Sequence, residues 1–257
     1  MLGIILSRRD CSEFDQVISV YTKEHGKYGF LLRGVKKMAA KNAAHLEPGT
    51  FIEFESVSGK GLPIGTSVEP QFLPEAWYRS LEGALYGSFG IRLLERLVES
   101  GESDPKLFNL FANWLITLAK KPFCAQVLTV RFIAQLLIVL GFEPVLDACV
   151  ACEQTLSGAF ILSFGHGGLL CNNCARALPP NAATTTALSA EAAVIFKKMF
   201  ARSASLPEMP RQSWQAGLPA KVRAPFLAAE QAIHRYLVYQ TGRSLPFWGQ
   251  LAKLSAV

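Results

Sequence analysis

The chain has 257 residues and half of them are apolar, so it is long enough to bury a substantial core in one or two domains. Its first apolar run meets Arg8 and Arg9 after too few residues for a secretory signal, and the chain is long for a disulfide-stabilised secreted protein. Composition therefore argues against the secreted class and favours a protein of the reducing cytoplasm. The formal net charge of +6 is a modest excess, whose meaning depends on where the cations lie.

Short segments rich in β-branched and aromatic residues occupy the first part of the chain. They predict five strands, at residues 3–9, 16–22, 28–35, 51–57 and 64–68. His25 and Gly26 supply a turn between the second and third strands, and residues 59–61 supply one between the fourth and fifth. Closing such strands into a small antiparallel barrel removes their exposed edges. We therefore predict a five-stranded barrel domain over residues 1–78.

The cations of this predicted domain are concentrated around its third strand. Six basic residues lie between Lys23 and Lys41, against the single acidic residue Glu24. In small five-stranded barrels such a face follows a nucleic-acid backbone, with basic side chains on phosphates and aromatic side chains against bases. The aromatic residues Tyr28 and Phe30 either stack on bases or fill the core. The predicted DNA-binding residues, called the barrel cations below, are Arg8, Arg9, Lys27, Arg33, Lys36, Lys37 and Lys41.

The hydrophobic period becomes helical after Pro74. Predicted helices cover residues 80–100, a segment that begins at Pro105 with Asp104 as its N-cap, and residues 123–140, 189–201 and 225–241. The longest apolar stretch is interrupted by Gln126, Arg131 and Gln135, so it predicts a buried helix rather than a membrane span. Proline-bearing stretches at 175–186 and 203–219 are predicted connectors. Residues 79–257 therefore form a mainly helical domain.

Two Cys-x-x-Cys pairs interrupt the helical pattern. Cys149 and Cys152 form the first pair, and Cys171 and Cys174 form the second. Two residues between paired cysteines let a turn direct both sulfurs at one ion, and four thiolates complete a tetrahedral zinc shell. Such a closed shell leaves no position for a catalytic water, so we predict one structural zinc ion in a module of residues 145–178.

Other states of these cysteines remain open at this point. They are two disulfides, a redox dithiol, an iron–sulfur cluster, or four free thiols without a metal. His166, between the pairs, is a possible substitute ligand, although a His-Gly-Gly sequence is typical of an exposed turn. Cys11 and Cys124 lie outside the pairs, and neither is accompanied by a motif that supplies a base, so both are interpreted as ordinary small apolar residues.

A second positive cluster lies near the end of the chain. Residues 197–257 include nine lysines and arginines against two acidic residues. Two positive clusters in one chain favour a polyanionic partner over surfaces that are merely solvated. This second cluster suits either further DNA or an acidic peptide tail, and the sequence leaves both open. The predicted second basic surface consists of Lys197, Lys198, Arg202 and Arg235.

The order and spacing of these features resemble the bacterial RecO family of recombination mediators across essentially the whole chain. In the barrel the resemblance rests on YTKEHGK at 21–27, RGVKK at 33–37 and LEPGTFIEFE at 46–55. In the cysteine region it rests on LGFEP and the following residues of 140–152, and on the segment 164–174 that ends in the second cysteine pair.

The resemblance implies an oligonucleotide-binding (OB) barrel joined to a helical domain with a zinc module. It further implies a mediator of DNA repair and homologous recombination that binds single- and double-stranded DNA and anneals complementary strands. Its partners would be RecR, the acidic tail of single-strand-binding protein (SSB), often RecF, and RecA indirectly. A cytoplasmic, nucleoid-associated protein without membrane contact is expected. Arg33, Lys36, Lys37 and Lys41 match the basic run that contacts DNA in the family.

Two other function classes are weighed against this one. Residues 45–47, His-Leu-Glu, resemble the His-x-Glu half of a zinc deaminase, but Ala148 and Leu170 stand where those enzymes place a proline before the cysteine pair. Strand annealing needs no catalytic side chain, so we expect a protein that is not an enzyme. The alternative to a mediator is a zinc-ribbon scaffold that binds protein partners without annealing DNA.

Overall fold

A computed structural model describes residues 1–36, 46–73, 75–156, 158, 160–177, 184–202 and 220–243. Lys37, Lys41, His45 and the predicted connector 203–219 lie outside the described residues. The chain divides into two compact units, and the boundary falls between Thr129 and Val130. Each unit is described separately below. The predicted division into domains at residue 78 stays a prediction.

A closed five-stranded barrel begins the first unit. The strands run in the order β1-β2-β3-β5-β4, with β1 also paired to β4. All neighbours are antiparallel except β3 and β5, which run parallel at the pair Leu31 and Ile64. This topology confirms the predicted OB-fold. The strands are β1 Leu2–Asp10, β2 Gln16–Thr22, β3 Gly26–Leu32, β4 Phe51–Val57 and β5 Ile64–Phe72.

Aromatic rings fill the barrel. Phe30 and Phe54 are fully buried and stack with their ring centroids 4.7 Å apart. Tyr28 packs against the same core, and its hydroxyl lies 2.9 Å from Ser56 Oγ. Phe30 therefore belongs to the core, which decides its role, while Tyr28 is half-buried and packs against that core. Tyr21 is also buried.

The first unit also contains three complete helices, and a fourth helix begins in it and ends in the second unit. They are α1 Glu75–Tyr78, α2 Leu81–Leu97 and α3 Pro105–Lys120. The Ser80 side chain accepts from the backbone N–H of Gly83, and Asp104 accepts from those of Lys106 and Leu107. These side chains accept hydrogen bonds from backbone N–H groups that have no partner within the first turn of a helix. Asp104 is therefore the N-cap that the sequence predicts. A short 3₁₀ turn, Pro122–Cys124, then leads into α4, Ala125–Val139.

The segment Pro122–Val139 is long and apolar enough, by length and composition, to cross a membrane. Its mean hydropathy is 1.7, and 61% of it is buried inside the protein. Core helices of folded domains commonly combine these two properties. The burial agrees with the sequence-based expectation of a buried helix.

The second unit combines helices with a small sheet. Its described helices after α4 are α5 Asn172–Ala177, α6 Ala190–Phe200 and α7 Ala220–Thr241. Three antiparallel strands, β6 Phe160–Ser163, β7 Gly168–Leu170 and β8 Thr185–Leu188, form a sheet in the order β7-β6-β8. The prediction of 175–186 as a connector is therefore wrong in part, because α5 and β8 extend into that stretch. Strands of three or four residues are too short to display a period of two.

A half-buried histidine makes the second unit sensitive to acid. Burial lowers the pKa of His234 on α7 to about 4, from its ordinary value of 6.5. The imidazole of His234 therefore takes up a proton more readily in the unfolded chain than in the folded protein. Stability is complete above pH 6.5 and decreases as the pH falls from 6.5 towards 4. His234→Leu should lose less stability than wild type between pH 6.5 and pH 4, and the difference should be at most about 3 kcal/mol. Denaturant unfolding of both proteins above pH 6.5 and near pH 4 measures it. Equal losses in wild type and variant would contradict this assignment.

Candidate metal centre and nucleic-acid surface

The four paired cysteines converge in the second unit. Cys149 and Cys152 lie in the turn before β6, Cys171 directly follows β7, and Cys174 lies on α5. The four sulfurs all lie within 4.8 Å of one another. The Sγ atoms of Cys152 and Cys171 are 3.9 Å apart. Tetrahedral zinc with Zn–S bonds of about 2.3 Å separates its sulfurs by about 3.8 Å, so the described cluster has the dimensions of such a site.

Backbone packing holds the first cysteine turn against the sheet. The N–H of Val150 donates to the carbonyl of Leu169 at 2.9 Å, and Val145 exchanges two hydrogen bonds with residues around Gly168. A Cβ at Gly168 would lie 2.6 Å from both the Val145 carbonyl oxygen and Val150 Cγ1. The glycine therefore permits the close approach that positions the turn.

Hydrogen bonds to sulfur shift the pKa values of the clustered cysteines in opposite directions. Burial alone would raise the pKa of Cys149, but backbone N–H donors, led by that of Cys171, lower its pKa to about 6. Hydrogen bonding with Cys171 and then Cys152 raises the pKa of Cys174 to about 12. Four thiolates this close repel one another, so ionising all of them requires a cation among them. The cluster has the donor set and the spacing to hold a metal ion.

The other sulfur and imidazole candidates lie apart from this cluster. His166 is exposed in the turn between β6 and β7, as predicted, and its Nδ1 lies 2.8 Å from Ser163 Oγ. Cys11 is exposed between β1 and β2 in the first unit, and Cys124 is buried. Burial raises the pKa of Cys124 to about 11, which suits an apolar core residue better than a nucleophile.

Three barrel cations meet at one end of the barrel. Arg8, Arg9 and Lys36 line an open pocket together with Asp10, Gln16 and Val35. Two of the three form ion pairs there: Arg8 with Glu47 at 2.7 Å, and Lys36 with Asp10 at 2.8 Å. The hydrogen bond from Lys36, supported by one from Gln16, lowers the pKa of Asp10.

The remaining described barrel cations differ in their surroundings. Arg33 is exposed just after β3. The ammonium of Lys27 donates to the backbone carbonyl of Glu95 at the end of α2, at 2.7 Å. Lys27 thus belongs to an internal contact in which Gly26 and Ser100 also form a bridge. No local sequence pattern predicts this contact, because it forms only where the end of α2 lies against the β2–β3 turn. The DNA-binding role of the barrel cations stays a prediction.

The residues of the second basic surface all lie in the second unit. Lys197 lies over the Phe160 ring at 5.1 Å, and Arg202 pairs with Glu143 at 2.7 Å. The Arg235 guanidinium donates to Thr186 Oγ1 at 2.7 Å, and Lys198 is exposed on α6. A common ligand for these residues remains predicted rather than observed.

One arginine that the sequence does not single out, Arg131, also organises this region. Arg131, interpreted only as a break in an apolar stretch, donates to the carbonyls of Lys198 and Ala201 at 3.2 and 3.1 Å. These are carbonyls at the end of α6, where a helix leaves acceptors without intrahelical partners. An arginine within an otherwise apolar helix was the available signal for such a buried cap.

An OB-fold barrel with exposed cations, together with a helical unit that carries four clustered cysteines, defines a class of nucleic-acid-binding proteins with an added metal-binding module. Residues 1–71 match the family described as Recombination protein O N terminal, and residues 78–215 match Recombination protein O C terminal. The chain belongs to the RecO family of DNA repair and recombination proteins. This membership implies DNA binding.

Relatives named DNA repair protein RecO agree with this family. The protein of Pelotomaculum thermopropionicum is 31% identical over 172 residues, which are 67% of this chain and 66% of the relative. That of Geobacter sulfurreducens is 30% identical over 188 residues, or 72% of this chain and 76% of the relative. That of Alkaliphilus metalliredigens is 26% identical over 172 residues, covering 67% and 70%.

Proposed function

We propose that the protein is a recombination mediator that anneals complementary DNA strands and, with RecR, helps load RecA onto single-stranded DNA covered by SSB. Membership of the RecO family is the observation that carries this proposal. The proposed setting is the cytoplasm, at the nucleoid. RecF, and RecA indirectly, complete the proposed set of partners, and the acidic SSB tail is proposed to bind the second basic surface.

The proposed mechanism is electrostatic. The open pocket with Arg8, Arg9 and Lys36 is a place where phosphate groups would meet three cations on one barrel end. Two of these cations already have a carboxylate partner, so a bound phosphate would compete with Asp10 or Glu47. Cations that hold two backbones lower the repulsion between complementary strands. No side chain has to make or break a covalent bond, so we propose no catalytic residue.

We further propose that the cysteine cluster holds one structural zinc ion. Cys149, Cys152, Cys171 and Cys174 would supply all four ligands. The sulfur spacing and the N–H donors to Cys149 support this choice. Zinc would neutralise the thiolates and fix the turn that packs on β7, and it would leave no coordination position for a substrate.

The experiment that tests the mediator proposal is a fluorescence assay of annealing between complementary oligonucleotides coated with SSB. The test variant replaces Arg33, Lys36, Lys37 and Lys41 with Gln. We expect it to lose most of the acceleration given by wild type. The slope of the logarithm of single-strand affinity against the logarithm of salt concentration should become shallower by about 0.7 for each phosphate contact that is removed.

A matched control removes four charges from the part of the same unit outside the barrel, at Lys106 and Lys120 on α3, at Lys121 directly after it, and at Arg79 between α1 and α2. It should anneal strands as wild type does. Equal activity of the test variant would move DNA binding to the second basic surface. If wild type itself gives no acceleration, the mediator proposal fails, and a scaffold that acts only through protein partners becomes the better interpretation.

A further inference from the structure

The outer face of the barrel carries a continuous row of apolar residues. Val17 on β2 pairs with Leu31 on β3, Leu31 pairs with Ile64 on β5, and Ile64 pairs with Val57 on β4. We call these four residues the apolar row. Their strand neighbours, among them Ile18 and Phe30, are buried in the core. Because side chains alternate along a strand, the row faces outward.

The row is open to a partner mainly at its β4 end. Val57 is 53% exposed, and Leu62 in the β4–β5 turn is 47% exposed, whereas Val17, Leu31 and Ile64 are half-buried. Leu62 borders the row, since a Cβ on Gly29 of β3 would lie 3.9 Å from Leu62 Cδ2. Exposed apolar side chains that form a continuous surface rimmed by polar groups mark interaction sites.

The chemistry of this face differs from that of a single-strand DNA platform. In OB-folds the β2–β3 face and its neighbouring loops commonly receive oligonucleotides, and aromatic side chains stack on the bases. The apolar row and Leu62 include no aromatic ring, and of the aromatic residues of β3, Phe30 belongs to the core and Tyr28 packs against it. Aliphatic side chains instead suit the apolar side chains of a peptide.

Cations flank the row. Arg9 on β1 is paired in register with Val17, Arg33 follows Leu31 by two residues, and Lys60 lies in the β4–β5 turn beside Leu62. All three are exposed. Within the part of the chain that the structure describes, the ion pairs of the barrel involve Arg8 and Lys36 and not these three. A ligand that complements the face therefore combines apolar groups with negative charge.

We propose that this face binds a segment of a partner protein in which a run of apolar side chains is flanked by carboxylates. The apolar side chains would lie on the row, and the carboxylates would meet the flanking cations. This proposal goes beyond the mediator function, because it assigns a protein-binding surface to the barrel itself and requires no annealing activity.

The test uses fluorescence anisotropy with the full chain and three labelled peptides of equal length. The Asp-Leu peptide has a leucine centre flanked by Asp, the Lys-Leu peptide has the same centre flanked by Lys, and the Asp-Ser peptide has a serine centre flanked by Asp. We expect binding of the Asp-Leu peptide only. The double variant Val57→Ser with Leu62→Ser should bind it about tenfold more weakly or worse. Arg9→Gln with Lys60→Gln should weaken the same binding and reduce its salt dependence.

The matched control replaces two exposed valines of the second unit, Val194→Ser with Val222→Ser, and should bind as wild type. Unchanged unfolding midpoints check that all variants fold. Equal affinity of the Val57/Leu62 variant and wild type overturns the proposal, and so does equal binding of the Lys-Leu peptide. Loss of oligo-dT affinity in that variant, without peptide binding by wild type, would identify the face as a DNA groove instead and also overturns it.

Discussion

Cys171→Ser is expected to abolish stoichiometric zinc binding and to destabilise the second unit severely. Cys171 Sγ lies 3.9 Å from Cys152 Sγ and accepts the backbone N–H of Cys174, so its loss removes one ligand and opens the cluster. Metal binding contributes directly to folding at structural zinc sites, so we expect a loss on the order of several kcal/mol. Metal analysis of the purified protein should find about one zinc per chain in wild type and none in the variant.

Cys11→Ser is the control for this experiment, because Cys11 is exposed in the first unit and outside the cluster. It should keep both the metal and the wild-type stability. Hydrogen exchange resolves the two units: amides of the second unit should lose protection in Cys171→Ser, while those of β1–β5 keep theirs. A wild-type chain that contains no metal and tolerates Cys171→Ser would refute the structural zinc site.

Gly26→Ala is expected to destabilise the first unit by about 2–4 kcal/mol. Gly26 has a φ of +61°, which strains any residue with a side chain. A Cβ there would also lie only 1.8 Å from the backbone carbonyl oxygen of Glu102, between α2 and α3. Backbone cannot rotate away as a flexible side chain does, so the turn and the helix connection must separate. Denaturant unfolding of the two proteins measures the loss.

Gly29→Ala supplies the comparison within the same strand. Its φ is not positive, and the nearest atoms to a Cβ are 3.9 Å away, which is ordinary van der Waals contact. The stability of this variant should stay within about 0.5 kcal/mol of wild type. Losses of similar size in Gly26→Ala and Gly29→Ala would show that the contact with Glu102 is unimportant.

The barrel was predictable because its strands are long enough to display alternation. Both β2 and β4 begin and end where the sequence placed them. The third strand begins two residues earlier than expected, at Gly26, because Gly26 pairs with Thr22 and Lys27 with Tyr21 across the hairpin. It also ends three residues earlier, at Leu32. The additional bridges of Gly26 and Lys27 to Ser100 join residues far apart in sequence, so a local pattern does not predict them.

The cysteine cluster was equally predictable, since four ligands at fixed spacing are a local property of the sequence. Its supporting sheet was not. The strand β8 follows a proline-rich stretch and has only four residues, so its turn signals outweigh its β-branched ones. Likewise, α7 begins at Ala220, before Pro225, although a proline usually predicts the first turn. Pairing with β6 accounts for β8, whereas residues 221–224 of the first turn of α7 are exposed.

The parallel contact between β3 and β5 is the shortest seam of the barrel. One registered pair, Leu31 with Ile64, joins these strands, supported by the hydrogen bond from the Leu31 N–H to the Pro63 carbonyl at 2.8 Å. Opening there would expose the Phe30 and Phe54 rings first. The apolar row crosses the same contact, so a segment bound on the row would touch both strands and hold them together. A bound segment would thus raise the resistance of the whole barrel to opening, by a free energy that grows with the logarithm of one plus its concentration over its dissociation constant.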